Sequence, residues 1–321
     1  MVKFFTLTNA LIENNEKDMI QIETLDVSIL GKEKTIAAYL LKQGDKSVLI
    51  DCGPESSFVN LEKQLNNLGL KVSDISDLLL THIHLDHGGG AWRFAEAGTK
   101  IHVHPFGTRH LVDPTKFLAS AEKVYKGKMK QLWGDMNPID PNKISSKTDN
   151  EILKIGDLNI ECLFTLGHAK HHACWLIDGN LFTGDTAGCR ASKGPVVAPT
   201  PPPDLDFEEW EKSLKIIESQ DVKKLYLTHY GDFDDVQKHV DDLRKFLSFS
   251  QDLGRKMIAR GITFDNIGDN ILKEMEESYL KFSPLKDMYD SYQVMTATWM
   301  NAQGLILASE KESEKYKKNL G

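Results

Sequence analysis

The stretch DLLLTHIHLDHGGG, residues 77–90, sets four ligand-type side chains, His82, His84, Asp86 and His87, within six residues directly behind an apolar run. The run reads as a buried strand. A strand end followed by a tight glycine-rich turn can aim residues 82 and 84 at one point and 86 and 87 at a neighbouring one. Gly88, Gly89 and Gly90 allow the backbone to turn closely there. A lone buried histidine is usually structural, but four such groups at this spacing point to a metal centre.

Outward from this stretch, the same pattern recurs. VLIDCG (48–53) and KIHVHP (100–105) are short apolar runs ending in Asp, Gly or His, and NIECLFTLGH (159–168), NLFTGD (180–185) and KKLYLTHYG (223–231) repeat it later. Each reads as a buried strand delivering a polar group at its C-terminal end, so distant segments would place His168, Asp185 and His229 on one rim with the first cluster. Between strands, SFVNLEKQLNNLGL (57–70) repeats Phe58, Leu61, Leu65 and Leu68 at helical spacing before Gly69. The mixture predicts an α/β (α+β) layered fold. Residues 106–140 form a largely helical insertion, and PVVAPTPPP (195–203) cannot be regular structure because proline removes donors. Either could wall a pocket or serve as plain connection.

From about residue 234 strand signals stop, and Val236, Val240, Leu243 and Leu247 take helical spacing, as do Ile271, Met275 and Tyr279 farther on. The chain therefore divides into residues 1–240, which carry the site, and a C-terminal helical region, 241–321, that could pack on its own domain or form a homodimer. The ending KESEKYKKNLG reads as a solvated, frayed tail.

With 321 residues, 40% hydrophobic and 27% charged, the chain can bury a substantial core. The 47 acidic against 39 basic residues, net −8, disfavour nucleic acid as a partner. The N-terminus MVKFFTLTNALIENNEKDM has no signal-peptide pattern, and no run approaches a membrane span, so a cytoplasmic location without membrane contact is the expectation. Cys52, Cys162, Cys174 and Cys189 are too scattered for a disulfide scaffold and read as core thiols; Cys189, four residues past Asp185, reads as a bystander near the site. His102 and His104 alternate along one run, where one is expected to cap and one to pack. Arg190, Tyr230 and Tyr125 could touch substrate, and none is assigned.

The sequence H-x-H-x-D-H at 82–87 resembles the metal motif of the metallo-β-lactamase superfamily, and TLGHAKHHACW with His168, LFTGDTAG with Asp185 and LTHYGD with His229 follow in the order that family shows. The resemblance spans about residues 20–240. It implies an αβ/βα sandwich in which His82, His84 and His168 hold one metal, Asp86, His87 and His229 hold another, and Asp185 bridges them. It also implies a supporting role for Asp51. His172, four residues after His168, is expected to brace a ligand through a hydrogen bond. Imidazole and carboxylate donors suit two divalent transition-metal ions, Zn first, with Fe or Mn also compatible.

Two cations roughly 3.5 to 4 Å apart can share a water, lower its pKa and polarise the carbonyl that the hydroxide attacks. Asp86 would then be catalytic as well, orienting the hydroxide through its free oxygen. The expected function is hydrolysis of a small ester-like molecule, a thioester or a lactone, because FTGDTAG and the trailing helices resemble the glyoxalase II and general hydrolase branches more than true β-lactamases. Two other classes stand beside it: an iron-dependent oxidoreductase of the persulfide dioxygenase type, and a ligand-sensing protein that keeps the metal site.

Overall fold

The computed structural model describes residues 20–284 and 288–320. The N-terminal segment read above for signal and membrane patterns, residues 1–19, lies outside them. Among the described residues, twelve strands form two six-stranded sheets, each in chain order. The first holds β1 (Gln21–Asp26), β2 (Ala37–Gln43), β3 (Lys46–Ile50), β4 (Asp77–Leu79), β5 (Lys100–Val103) and β6 (Ile144–Ser146). The second holds β7 (Glu151–Ile155), β8 (Leu158–Phe164), β9 (Ala173–Ile177), β10 (Asn180–Gly184), β11 (Lys224–Leu227) and β12 (Gly231–Phe233).

Short turns join several of the antiparallel pairs, and helices fill the crossovers between parallel strands. β9 and β10 pair with Ile177 opposite Asn180, leaving a two-residue turn of Asp178 and Gly179, both at positive φ. That geometry matches the twist of a hairpin and suits an Asp-Gly pair. By contrast β3, β4, β5 and β6 run parallel, and helices α1 (Phe58–Asn67), α2 (Leu85–Gly88), α3 (Ala91–Ala97), α4 (Pro105–Val112), α5 (Thr115–Tyr125) and α6 (Met129–Trp133) fill their crossovers.

Alternation along the strands then splits the core into three layers. In β3, Val48 and Ile50 face the second sheet, where they join Tyr39, Leu79, Cys162, Trp175 and Phe182. Leu49 faces outward, against Leu61 and Leu65 of α1 and Phe94 of α3. On the far side, Leu163, Leu181 and Leu225 are covered by Trp210 and Leu214 of α7 (Phe207–Ser219), Val240 and Leu243 of α8 (Val236–Ala259), and Leu305. The result is the αβ/βα sandwich the sequence implied. α9 (Asp269–Phe282), α10 (Tyr289–Met295) and α11 (Thr298–Leu320) complete the second helical layer, so the C-terminal helices pack on their own chain.

Two local expectations fail. Leu68, placed on the apolar face of the first helix, is 40% exposed, because the helix ends at Asn67 and Leu70 N closes the turn on Leu65 O instead. The charged ending is helical rather than frayed. α11 runs to Leu320, with Arg255 Nε 3.0 Å from Glu312 and Lys315 Nζ 2.8 Å from Glu208, so the tail lies back across α8 and α7. Among the described residues no helix is long and apolar enough to cross a membrane.

Candidate metal centre

The strands bring their C-terminal ends to one edge of the sandwich. Asp51 follows β3, residues 82–87 follow β4, His168 follows β8, Asp185 follows β10 and His229 follows β11. β4 stops at Leu79, so His82 and His84 converge from an extended loop rather than by strand alternation, and α2 supplies Asp86 and His87 from a single helical turn.

All seven candidate residues meet there, in two groups: His82, His84, His168 and Asp185, and beside them Asp86, His87 and His229. Asp185 faces both. Its Oδ2 lies 3.2 Å from His168 Nε2 and 4.0 Å from His82 Nε2, and its Oδ1 lies 3.4 Å from His87 Nε2 and 3.5 Å from His229 Nε2. Asp86 Oδ2 is 3.4 Å from His229 Nε2 and 3.9 Å from His87 Nε2. His84 Nδ1 stands 3.0 Å from His168 Nε2.

The outer nitrogens fix which atoms face inward. His168 Nδ1 donates to Pro199 O (3.0 Å), and His229 Nδ1 to Thr35 O (2.8 Å), since a carbonyl can only accept. His87 Nδ1 bonds Asp51 Oδ2 at 2.9 Å. In the neutral rings each Nε2 therefore presents a lone pair to the site. His82 Nε2, His87 Nε2, His229 Nε2 and Asp185 Oδ1 are all buried without a hydrogen-bond partner. Four such atoms spread over the two adjoining groups are what cation binding would satisfy, and the imidazole and carboxylate set fits divalent transition ions.

The charge distribution is consistent with this. Burial drives His84 down to about 3, with His168 adding to the effect, and burial likewise holds His82 well below its ordinary value. For His87 burial acts downward too, yet the carboxylates of Asp185, Asp86 and Asp51 outweigh it and raise the imidazole. Burial opposes ionisation of Asp86, but His87 and His229 hold it at about 2.

Asp51 and His172 occupy supporting positions. Asp51 is fully buried and accepts from Thr81 N (2.8 Å), Thr81 Oγ1 (2.8 Å) and Thr228 Oγ1 (3.0 Å) besides bonding His87, which ties the stretch after β4 and the one after β11 to one carboxylate. His172 Nε2 accepts from Asp185 N at 3.1 Å, and its Nδ1 lies 2.9 Å from Thr165 Oγ1. Gly184 stands at φ +48, and a Cβ there would come within 2.6 Å of both His172 Nε2 and Thr81 Oγ1, which explains a glycine directly before Asp185.

The threonines were not singled out from the sequence. Thr81 and Thr228 each precede a ligand-type histidine, in T-H-I-H and L-T-H-Y, and that repeated dipeptide was the available signal. His171 is buried against the site, its ring 5.2 Å from His84 and 6.3 Å from Phe106. Arg190 is occupied elsewhere, pairing with Asp235 at 2.7 Å and lying over Phe233. Tyr230 is half-buried and pushed up to about 12 by burial. Cys189 is buried in a bridge to Val197, its thiol raised by burial. His104 caps α4 by accepting from Phe106 N, and His102 packs in β5 with Nε2 2.7 Å from Asp77, so the pair divides into one cap and one packed ring as expected.

The family model of the metallo-beta-lactamase superfamily matches residues 32–229. The chain belongs to this superfamily. Metallo-beta-lactamase fold-containing protein ST1585 of Sulfurisphaera tokodaii is 31% identical over 186 residues, 56% of this chain and 67% of the relative. Its crystal structure superposes with a TM-score of 0.61 at 23% identity, covering 88% of this chain and 97% of that one. An atrochrysone carboxyl ACP thioesterase of Aspergillus fumigatus is 27% identical over 205 residues, 63% of this chain, which spans about half (53%) of that enzyme. A hydroxyacylglutathione hydrolase of a Shewanella species is 24% identical over 204 residues, 63% of this chain and 60% of the relative. As a member of the metallo-beta-lactamase superfamily that carries a His/Asp cluster, this chain has a site suited to divalent metal ions.

Proposed function

We propose that this superfamily member is a dinuclear metallohydrolase acting on a small thioester or lactone. His82, His84 and His168 hold one ion, Asp86, His87 and His229 hold the other, and Asp185 lies between. The observation that carries this reading is the placement of the two Asp185 oxygens, one toward each histidine group.

Two bound divalent ions would supply a nucleophile at neutral pH and Lewis-acid polarisation of a carbonyl. The chain supplies the rest. Asp86 is the most open of the carboxylates, its side chain 23% exposed against 4% for Asp185. With Oδ2 directed at His229 and His87, its other oxygen is left to orient an attacking water by accepting its proton. Pro199 O, Thr35 O and Asp51 hold their rings in one tautomer, so the donor set is preorganised. A thioester is the first choice because two relatives are named as a thioesterase and a hydroxyacylglutathione hydrolase.

The test is metal analysis of protein purified without added metal, joined to an assay of acyl thioesters and lactones and to oxygen uptake. Cleavage of an ester with two ions per chain supports the reading. Oxygen consumption with iron and no ester cleavage would replace it with an oxygenase, and ligand-induced stabilisation without turnover would replace it with a sensor.

A further inference from the structure

The helical insertion and the C-terminal helix meet over this site, and their contact is aromatic. Tyr125, at the end of α5, packs edge-on against Trp133 of α6 (centroids 5.3 Å apart) and Trp299 of α11 (5.9 Å), and its hydroxyl reaches Met300 Sδ at 3.4 Å. All four side chains are only partly buried.

Both anchors of this contact run straight to the metal ligands. On the insertion side, Ser56 Oγ donates to Leu132 O (2.6 Å) and Asp135 N to Glu55 Oε2 (3.1 Å). Cys52 N and Gly53 N in turn bond His87 O, at 2.8 and 3.1 Å. On the other side, Asn301, next to Met300, accepts from Thr200 N at 2.8 Å, and neighbouring Pro199 O holds His168. The strap formed by α5 and α6 thus bridges from the Asp86–His87 turn to the His168 loop, and Asp86, the open carboxylate, lies close enough for its charge to add to the burial that raises the Tyr125 phenol. Of the cations nearest this contact, Lys130 is paired with Asp135, and Arg93 of α3 with Glu55.

We infer that Tyr125, Trp133, Trp299 and Met300 form the wall that receives the acyl part of the substrate, which is therefore apolar: a medium-length alkyl chain or an aromatic ring. Aromatic faces and a methionine bind such a group by area and shape. This assignment rests on the hydrolase reading for its reaction, not for its binding.

The experiment uses the full chain and two probes. First, kcat/KM is measured for acetyl and octanoyl thioesters of one thiol. The octanoyl ester is preferred in the wild type, and Trp299→Ala and Met300→Gln each lower the octanoyl-to-acetyl ratio by about tenfold, mainly through KM. Second, octanamide binding to the metal-loaded protein is followed by calorimetry, and both variants weaken it. If octanamide binds and the variants abolish that, while no ester is cleaved, the wall stands and the hydrolase reading falls. Ester cleavage with no chain-length preference and no octanamide binding would overturn the wall alone. Should Trp299→Ala misfold, the Met300→Gln variant, with its volume conserved, decides both measurements.

Discussion

At the scale of single residues, the site is organised by carboxylates that do two jobs at once. Asp185 presents one oxygen to each histidine group, so Asp185→Ala should lose metal and activity together, read by metal content and thioester turnover. His102→Ala should leave both nearly intact, because His102 of β5 bonds Asp77 of β4 and none of the seven. Asp51→Ala removes the partner of His87, Thr81 and Thr228 at once, and metal affinity should fall roughly 10- to 100-fold, measured by chelator competition. The Asp77–His102 pair also fixes a pH dependence. Burial pushes the half-buried Asp77 up, but the hydrogen bonds from His102 and Ser76, with the charges of His102 and Lys46, together outweigh it and its pKa is lowered. A carboxyl depressed in the folded state stabilises the fold above its unfolded value and loses that contribution as pH falls through the lowered one. His102→Ala should therefore cost about 1 kcal/mol near neutral pH, with the deficit shrinking in acid, as denaturant unfolding at several pH values would show.

At the scale of elements, what could be read from the sequence depended on how much chemistry sat at an element's end. The strands ending in Asp51, His82, His168, Asp185 and His229 were legible because an apolar run stopped at a polar ligand. β1 (QIETLD) and β7 (EILKI) were not, since they are mixed in polarity and largely exposed, and only pairing with a neighbour makes them strands. The supporting contacts were hidden for another reason: Pro199 O and Thr35 O act through the backbone, which carries no sequence signature. α11 shows the same limit, its charged end looking like a loose tail until Arg255, Glu208 and Pro203 supply partners from α8, α7 and the proline loop. Those surface pairs contribute little, and Glu312→Ala should shift stability by no more than about 1 kcal/mol. Leu305→Ala on the same helix removes a fully buried side chain and should cost roughly 2–5 kcal/mol, as urea unfolding would report.

At the scale of the whole molecule, two sheets twisted against each other bring the C-terminal ends of five strands to one edge, and the histidine layer there is built to be incomplete without cations. Four buried polar atoms there have no protein partner, and bound cations would satisfy them. Metal should consequently stabilise the fold as well as equip it: loading at 100 times the dissociation constant adds about 2.7 kcal/mol, visible as a rise in Tm that chelation reverses. The most direct measurement is the number of transition-metal ions per chain in wild type and in Asp185→Ala. Two per chain in the wild type, with loss of at least one alongside loss of turnover in the variant, is the predicted result. A wild type that takes up none, or a variant that keeps both, would contradict a carboxylate-bridged pair of ions.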